Sequence, residues 1–429
     1  MPSYVAIHLP CQCCLVCYNQ GMTDNAAFKQ IETDLASGGA EAVWLQLTGR
    51  LRRENRFHEL FDARLSQVRG KLGLPLYASG ELDRLPEPVR SQVEEGYLAA
   101  CREVGELLVA AGKLREAWMY LRPAGESQRL KAAIEQTVVD DENGQELIEL
   151  ALYEGISPGW GFDQLLKQRG TCNAISTFES IAPGLDRAGQ QQLATQLVRH
   201  LHGELWANLA ADLLGDSEGR ERTGDAENGG LTPPARLDVP PPLMELLDRI
   251  EGPFGEYYCH VDASHLGAIV RYGRLLTAAA DVRLAWELTQ YGRRLHENFR
   301  HAGEEPFTDT FEHHALLFAA QLGNHVDEAL AHFAGRAAEV DIRQQGTAAV
   351  EVYATLLARL GRPAEAIRVM ATVPAGISTS RFAPSLLELS EQAGEFSTYQ
   401  DVCRQRGDLL GYAIGRLEEV RRQKAEVRS

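Results

Sequence analysis

The sequence predicts an all-α chain, a helix-hairpin solenoid in two halves joined by a flexible linker. Apolar residues recur at helical spacing along almost its whole length. Gly and Pro interrupt these periodic runs at short intervals, and period-two alternation over a strand length is scarce. The predicted helices are therefore mostly about 10–20 residues long and joined by tight turns.

At 429 residues, with 44% apolar and 24% charged residues, the composition is that of a globular chain of two or three domains. The 43 basic residues against 60 acidic ones give a net charge of −17, which opposes extended contacts with nucleic acid or an anionic membrane surface. No stretch approaches the ~18 consecutive apolar residues of a membrane span.

The N-terminal segment, 1–21, lacks Lys and Arg, and its apolar part is interrupted by Pro10 and Gln12, so it makes a poor signal peptide. The expected compartment is the cytoplasm. Cys11, Cys13, Cys14 and Cys17 crowd this segment without the second, separated Cys pair that a tetrahedral zinc site normally uses. Met22, followed by the helix-start residues Thr23-Asp24-Asn25, is the expected natural start, with 1–21 a spurious or disordered extension. Cys101, Cys172, Cys259 and Cys403 lie far apart and read as reduced, packed thiols.

An N-terminal helical domain is expected over 22–214. Within it Val104, Leu107, Leu108 and Ala111 follow the i, i+3, i+4, i+7 template. Leu193, Leu197, Leu201, Leu205, Leu209 and Leu213 form a stripe at four-residue intervals, long enough for a helix of several turns. The segment 215–242 is rich in Gly, Pro and charge and poor in apolar residues, the composition of a flexible linker that limited proteolysis would cut first. A second helical domain is expected over 243–429. Asp262 is placed to cap a helix through Ile269, Val270 and Leu275, and Asp309 with Glu312 reads as a capping box before Ala315. Val350, Tyr353, Leu356, Leu357 and Leu360 mark a further helix. The C-terminal residues mix Arg421, Arg422 and Lys424 with Glu418, Glu419 and Glu426, a solvated helix with no nucleic-acid arm.

Four places share one local grammar: an apolar helix ends, a Gly turns the chain, and an Ala or aromatic follows. They are Leu107 to Gly112 leading to Ala117, Phe318 to Gly323 leading to Ala329, Leu356 to Gly361 leading to Ala366, and Leu387 to Gly394 leading to Tyr399. The Gly permits a left-handed turn, and the small Ala lets the second helix approach the first. With Pro123 and Pro374 at unit ends and 33 residues from Gly361 to Gly394, this grammar resembles the tetratricopeptide repeat. It departs from that pattern in the 38 residues from Gly323 to Gly361, in one extra residue before Ala329, and in Tyr399 standing for Ala. The resemblance implies a non-catalytic scaffold with a concave groove for a peptide or partner helix. It implies no cofactor, and the two-Lys, one-Asn pattern of a carboxylate clamp is missing.

Phosphate-cradling Gly loops and a Gly-x-Ser-x-Gly elbow are absent from the sequence. The alternative reading is a metal-dependent enzyme in the C-terminal half, with His260, Asp262, His265, Glu312 and His313 as candidate ligands. His260 and His265 are five residues apart, so one helix would splay them, and Asp262 would serve as a helix cap.

Overall fold

The structure is a computed structural model that describes residues 25–77, 82–215, 241–250, 254–255, 259–300, 307–380 and 382–426. Among the described residues there are nineteen α-helices and no strand, and no helix is long and apolar enough to cross a membrane. The Cys11–Cys17 cluster, the start expected at Met22 and nearly all of the expected linker lie outside the described residues.

The chain divides into two compact units between Val138 and Val139. The first contains α1 (Asn25–Arg53), α2 (Phe57–Lys71), α3 (Val89–Ala110), α4 (Leu114–Leu121) and α5 (Ser127–Gln136). Consecutive helices pack on each other around Leu60, Cys101, Val104, Leu108, Leu121 and Ile134, all fully buried. Gly105 makes the α3–α4 approach possible, because a Cβ there would lie 2.5 Å from Leu121 Cδ2.

The second unit runs through α6 (Gly144–Ile148), α7 (Pro158–Ile181), α8 (Arg187–Gly215), α9 (Leu243–Asp248), α10 (Ala263–Tyr272), α11 (Ala279–Gly292), α12 (Thr310–Gln321) and α13 (Val326–Glu339). It continues with α14 (Ile342–Gln345), α15 (Ala348–Arg359), α16 (Pro363–Met370), α17 (Leu386–Ala393), α18 (Ser397–Arg406) and α19 (Leu409–Glu426). Leu193, Leu197, Leu201, Leu205 and Leu209 of the α8 stripe are buried and Leu213 is half-buried, and α8 packs against α9, α10 and α11, which follow 216–240 in the sequence. Leu201, Leu205 and Leu209 share one core with Leu243, Leu246 and Leu266. The expected boundary at 215–242 thus differs from the boundary between the compact units. A polar, Gly- and Pro-rich composition marks a connection, but it carries no information about what the helices at its two ends bury.

The turn grammar has a direct structural counterpart. Gly112, Gly323, Gly361 and Gly394 have φ of +73°, +86°, +73° and +71°, each between two successive helices. Ala117, Ala329 and Ala366 are fully buried. The extra residue before Ala329 is taken up by a second left-handed residue, His325 at φ +55°. Tyr399 is accommodated by glycines on the next helix: a Cβ at Gly411 or Gly415 of α19 would lie 2.9 or 2.7 Å from its ring system. The bulk moves from one side of the contact to the other.

These turns make a sharp prediction. A Cβ at Gly361 would meet nothing within 4 Å, so Gly361→Ala carries only the left-handed backbone penalty, about 1–2 kcal/mol of lost stability in denaturant unfolding. Gly203→Ala, at an exposed site inside α8 with equally open space, is expected to gain up to about 1 kcal/mol. Equal effects at the two positions would contradict the turn geometry.

Candidate functional site

The residues around 260 form a structural joint. Asp262 caps α10, its Oδ1 accepting from the Ser264 amide at 2.8 Å, the His265 amide at 3.2 Å and the Ser264 hydroxyl at 2.5 Å. Burial raises its carboxyl pKa, but these donors outweigh burial and hold it below the ordinary value. His260 has a buried imidazole whose Nε2 lies 3.5 Å from Asp212 Oδ2. The His260 amide donates to the Tyr291 hydroxyl at 2.7 Å, and its carbonyl accepts from Asn208 at 2.7 Å. Burial lowers the His260 pKa, only partly opposed by Asp212. His265 is half-buried in the first turn of α10.

Glu312 and His313 sit in a groove of about 500 Å³ between α11, α12 and the start of α13. Asp309 caps α12 through the amides of Phe311 (2.9 Å) and Glu312 (3.0 Å). The expected reciprocal half of a capping box is replaced, because the Glu312 carboxylate pairs with Arg293 across the groove at 2.9 Å. A complete capping box occurs at Ser385 and Glu388 of α17. Half-buried Trp286, Leu316 and Leu322 form the apolar strip of the groove, with Arg283, Glu328 and His325 around it.

His313 Nδ1 lies 3.0 Å from His332 Nε2, and the two rings stack at 5.0 Å. A nitrogen–nitrogen hydrogen bond needs one donor and one acceptor, so the contact favours a neutral acceptor ring. Burial lowers both pKa values, reinforced at His313 by His332 and at both rings by Arg336. The pairing was legible in principle. His313 stands ten residues before Gly323 and His332 nine after it, so an antiparallel hairpin closing at Gly323 brings them level.

The structure does not gather the five candidate ligands into one centre. Among the described residues, no group of three or more His, Cys, Asp or Glu side chains is arranged to hold a metal ion.

A second cavity, of about 610 Å³, opens between α7, α10, the start of α15 and the residues Ser380, Phe382 and Ala383. Arg271 and Arg274 line it together with Thr347, Glu351, Ser380 and Phe382. Glu179 accepts from the Tyr272 hydroxyl at 2.5 Å, and Glu351 accepts from the Thr347 hydroxyl at 2.6 Å and the Ser380 amide at 2.7 Å. Nearby His314 is buried on α12, its Nδ1–H donating to the Thr310 carbonyl at 2.7 Å while Nε2 has no partner. Burial, then the charge of Arg274, takes its pKa down to about 3. This cavity is not legible in the sequence. Arg271 and Arg274 are visible as an i, i+3 pair, but nothing local ties them to residues some 70 to 110 positions later.

Comparison of the chain with protein-family models, curated proteins and solved structures found no match.

Proposed function

We propose that the chain is a non-catalytic protein-interaction scaffold built of tetratricopeptide-like helical hairpins, stacked as a solenoid, which takes a partner peptide in the groove of α11, α12 and α13. The observation that carries this reading is the groove itself. A half-buried apolar strip of Trp286, Leu316 and Leu322 is bordered by charged and imidazole side chains, the arrangement by which helical grooves hold an apolar anchor and orient its flanks. The recurrent left-handed Gly with a buried Ala five or six residues later supports a common hairpin unit. The free thiols of Cys101, Cys172, Cys259 and Cys403 support the cytoplasm as the compartment.

Peptide display against the full chain tests the reading. Enriched peptides are expected to carry an apolar anchor and to lose about ten-fold or more in affinity on Trp286→Ala. Enrichment of peptides indifferent to Trp286→Ala and Leu316→Asp would place binding elsewhere. Elemental analysis addresses the enzyme alternative: stoichiometric metal lost on His260→Ala or His313→Ala would overturn the scaffold reading.

A further inference from the structure

We propose that the outward face of α19 pairs with the same face of a second copy of this chain, the two helices running antiparallel. This inference does not depend on the peptide groove, which α19 does not line.

The polarity of α19 is inverted. Its side turned to α18 is built on Gly411 and Gly415, both buried against Tyr399. On that side Gln400 donates to Glu419 at 3.0 Å, and Arg422 donates to the Glu391 carbonyl. The opposite side carries Leu409, Leu410, Ala413, Ile414, Leu417 and Val420, all exposed. Leu409 is 84% exposed, Leu410 72% and Leu417 70%, so three leucines within little more than two turns stand largely in water. A single exposed leucine needs no explanation, whereas a contiguous apolar strip along one helix marks a contact surface.

The spacing of the strip points to its occupant. Leu410, Ala413, Leu417 and Val420 follow the alternating three- and four-residue steps of a coiled-coil seam, with Leu410 and Leu417 at a positions and Ala413 and Val420 at d positions. These four positions are symmetric about residue 415. A two-fold axis there sets Leu417 of each copy opposite Ala413 of the other, and Leu410 of each opposite Val420 of the other. Large then meets small in both central layers, and the volumes fill evenly. A parallel pair would instead stack Ala413 on its own copy, leaving a gap between leucine layers. It would also bring Lys424, the next seam position, against its own copy.

Charge selects the same direction. Antiparallel pairing sends Lys424 to the N-terminal end of the other α19, where Asp408 sits with its Oδ1 accepting from the Gly411 amide at 2.8 Å. Nearby charges are engaged within the chain, Arg404 with Asp401 at 2.6 Å and Arg406 with the Val373 carbonyl at 2.7 Å. The exposed parts of the five large side chains amount to about 500 Å² per copy and about 1,000 Å² for the pair, the lower limit for a specific interface. The expected dimer is therefore reversible, with a dissociation constant in the micromolar range.

Sedimentation velocity of the full chain, from about 1 to 200 μM at physiological ionic strength, tests the assignment. A concentration-dependent shift from the mass of one chain to that of two is expected. Leu417→Ala is expected to weaken association about ten-fold or more. Exchanging the two residues, Ala413→Leu/Leu417→Ala, is expected to restore it, because the symmetric pair again sets large against small. Leu45→Ala, at an exposed leucine of α1, is expected to leave association unchanged. Each substitution lies at an exposed position, and circular dichroism establishes that each variant is folded. A single-chain mass at every concentration, the outcome if another protein or residues 1–24 cover the strip, would overturn the proposal. So would association indifferent to Leu417→Ala, or failure of the exchange to restore it.

Discussion

Phe318→Ala is expected to lower the unfolding free energy of the second unit by about 3–5 kcal/mol, the usual cost of emptying a fully buried aromatic site. Phe318 is completely buried in α12. Its ring fills the space that glycine leaves at position 273, where a Cβ would lie 2.8 Å from the ring Cζ and 3.2 Å from Ala285 Cβ. The ring thus sets the distance between the end of α10, α11 and α12, and through it the spacing of the groove wall. Hydrogen exchange of the α10, α11 and α12 amides would report the loss locally. Gly273→Ala supplies the complementary test. It is expected to destabilise the parent, where the new methyl meets the ring, and to cost less in the Phe318→Ala background, where room has been made. Additive effects of the two substitutions would contradict this packing.

Acid is expected to destabilise the fold well before carboxylates titrate. Folded His314 has its pKa lowered to about 3, against 6.5 ordinarily. As pH falls below the ordinary value, the unfolded chain takes up a proton that folded His314 refuses, so unfolding becomes progressively more favourable until the folded value is reached. At pH 5 this single group costs about 2 kcal/mol relative to neutral pH. His260, His313 and His332 are shifted in the same direction and add to the slope. Glu103 and Glu388 have lowered pKa values and lose their stabilising contribution only at more acidic pH, leaving the interval from pH 6.5 to 5 to the imidazoles. Denaturant titrations of the parent and of His314→Leu at pH 7.5 and 5 measure the effect. The variant is expected to lose most of the His314 share of the pH dependence, and an unchanged slope would contradict a neutral, buried imidazole.

The features legible in the sequence are those whose cause lies within a few residues. The left-handed glycines at 112, 323, 361 and 394 were readable because a tight turn between helices demands that conformation where the chain reverses. The caps at Asp262 and Asp309 were readable because a cap acts on amides two and three positions ahead. The reciprocal contact expected of Glu312 was not, because Arg293 from another helix competes for its carboxylate at 2.9 Å. The same limit explains the domain boundary. The stripe on α8 announces a face to be buried, but it does not identify Leu243, Leu246 and Leu266 as its partners. The groove was half legible: Glu312 and His313 attracted attention, whereas Trp286 became part of it only when α11 packed beside α12. The arginine cavity was hidden for the same reason, since its walls come from four separated segments.

The central claim, that the α11–α13 groove holds a partner peptide by an apolar anchor, is tested most directly by calorimetric titration of one display-selected peptide into the parent chain and into Trp286→Ala. The account predicts saturable one-to-one binding that weakens about ten-fold or more when the indole is removed from a variant that remains folded. Equal affinity for the two proteins would contradict it.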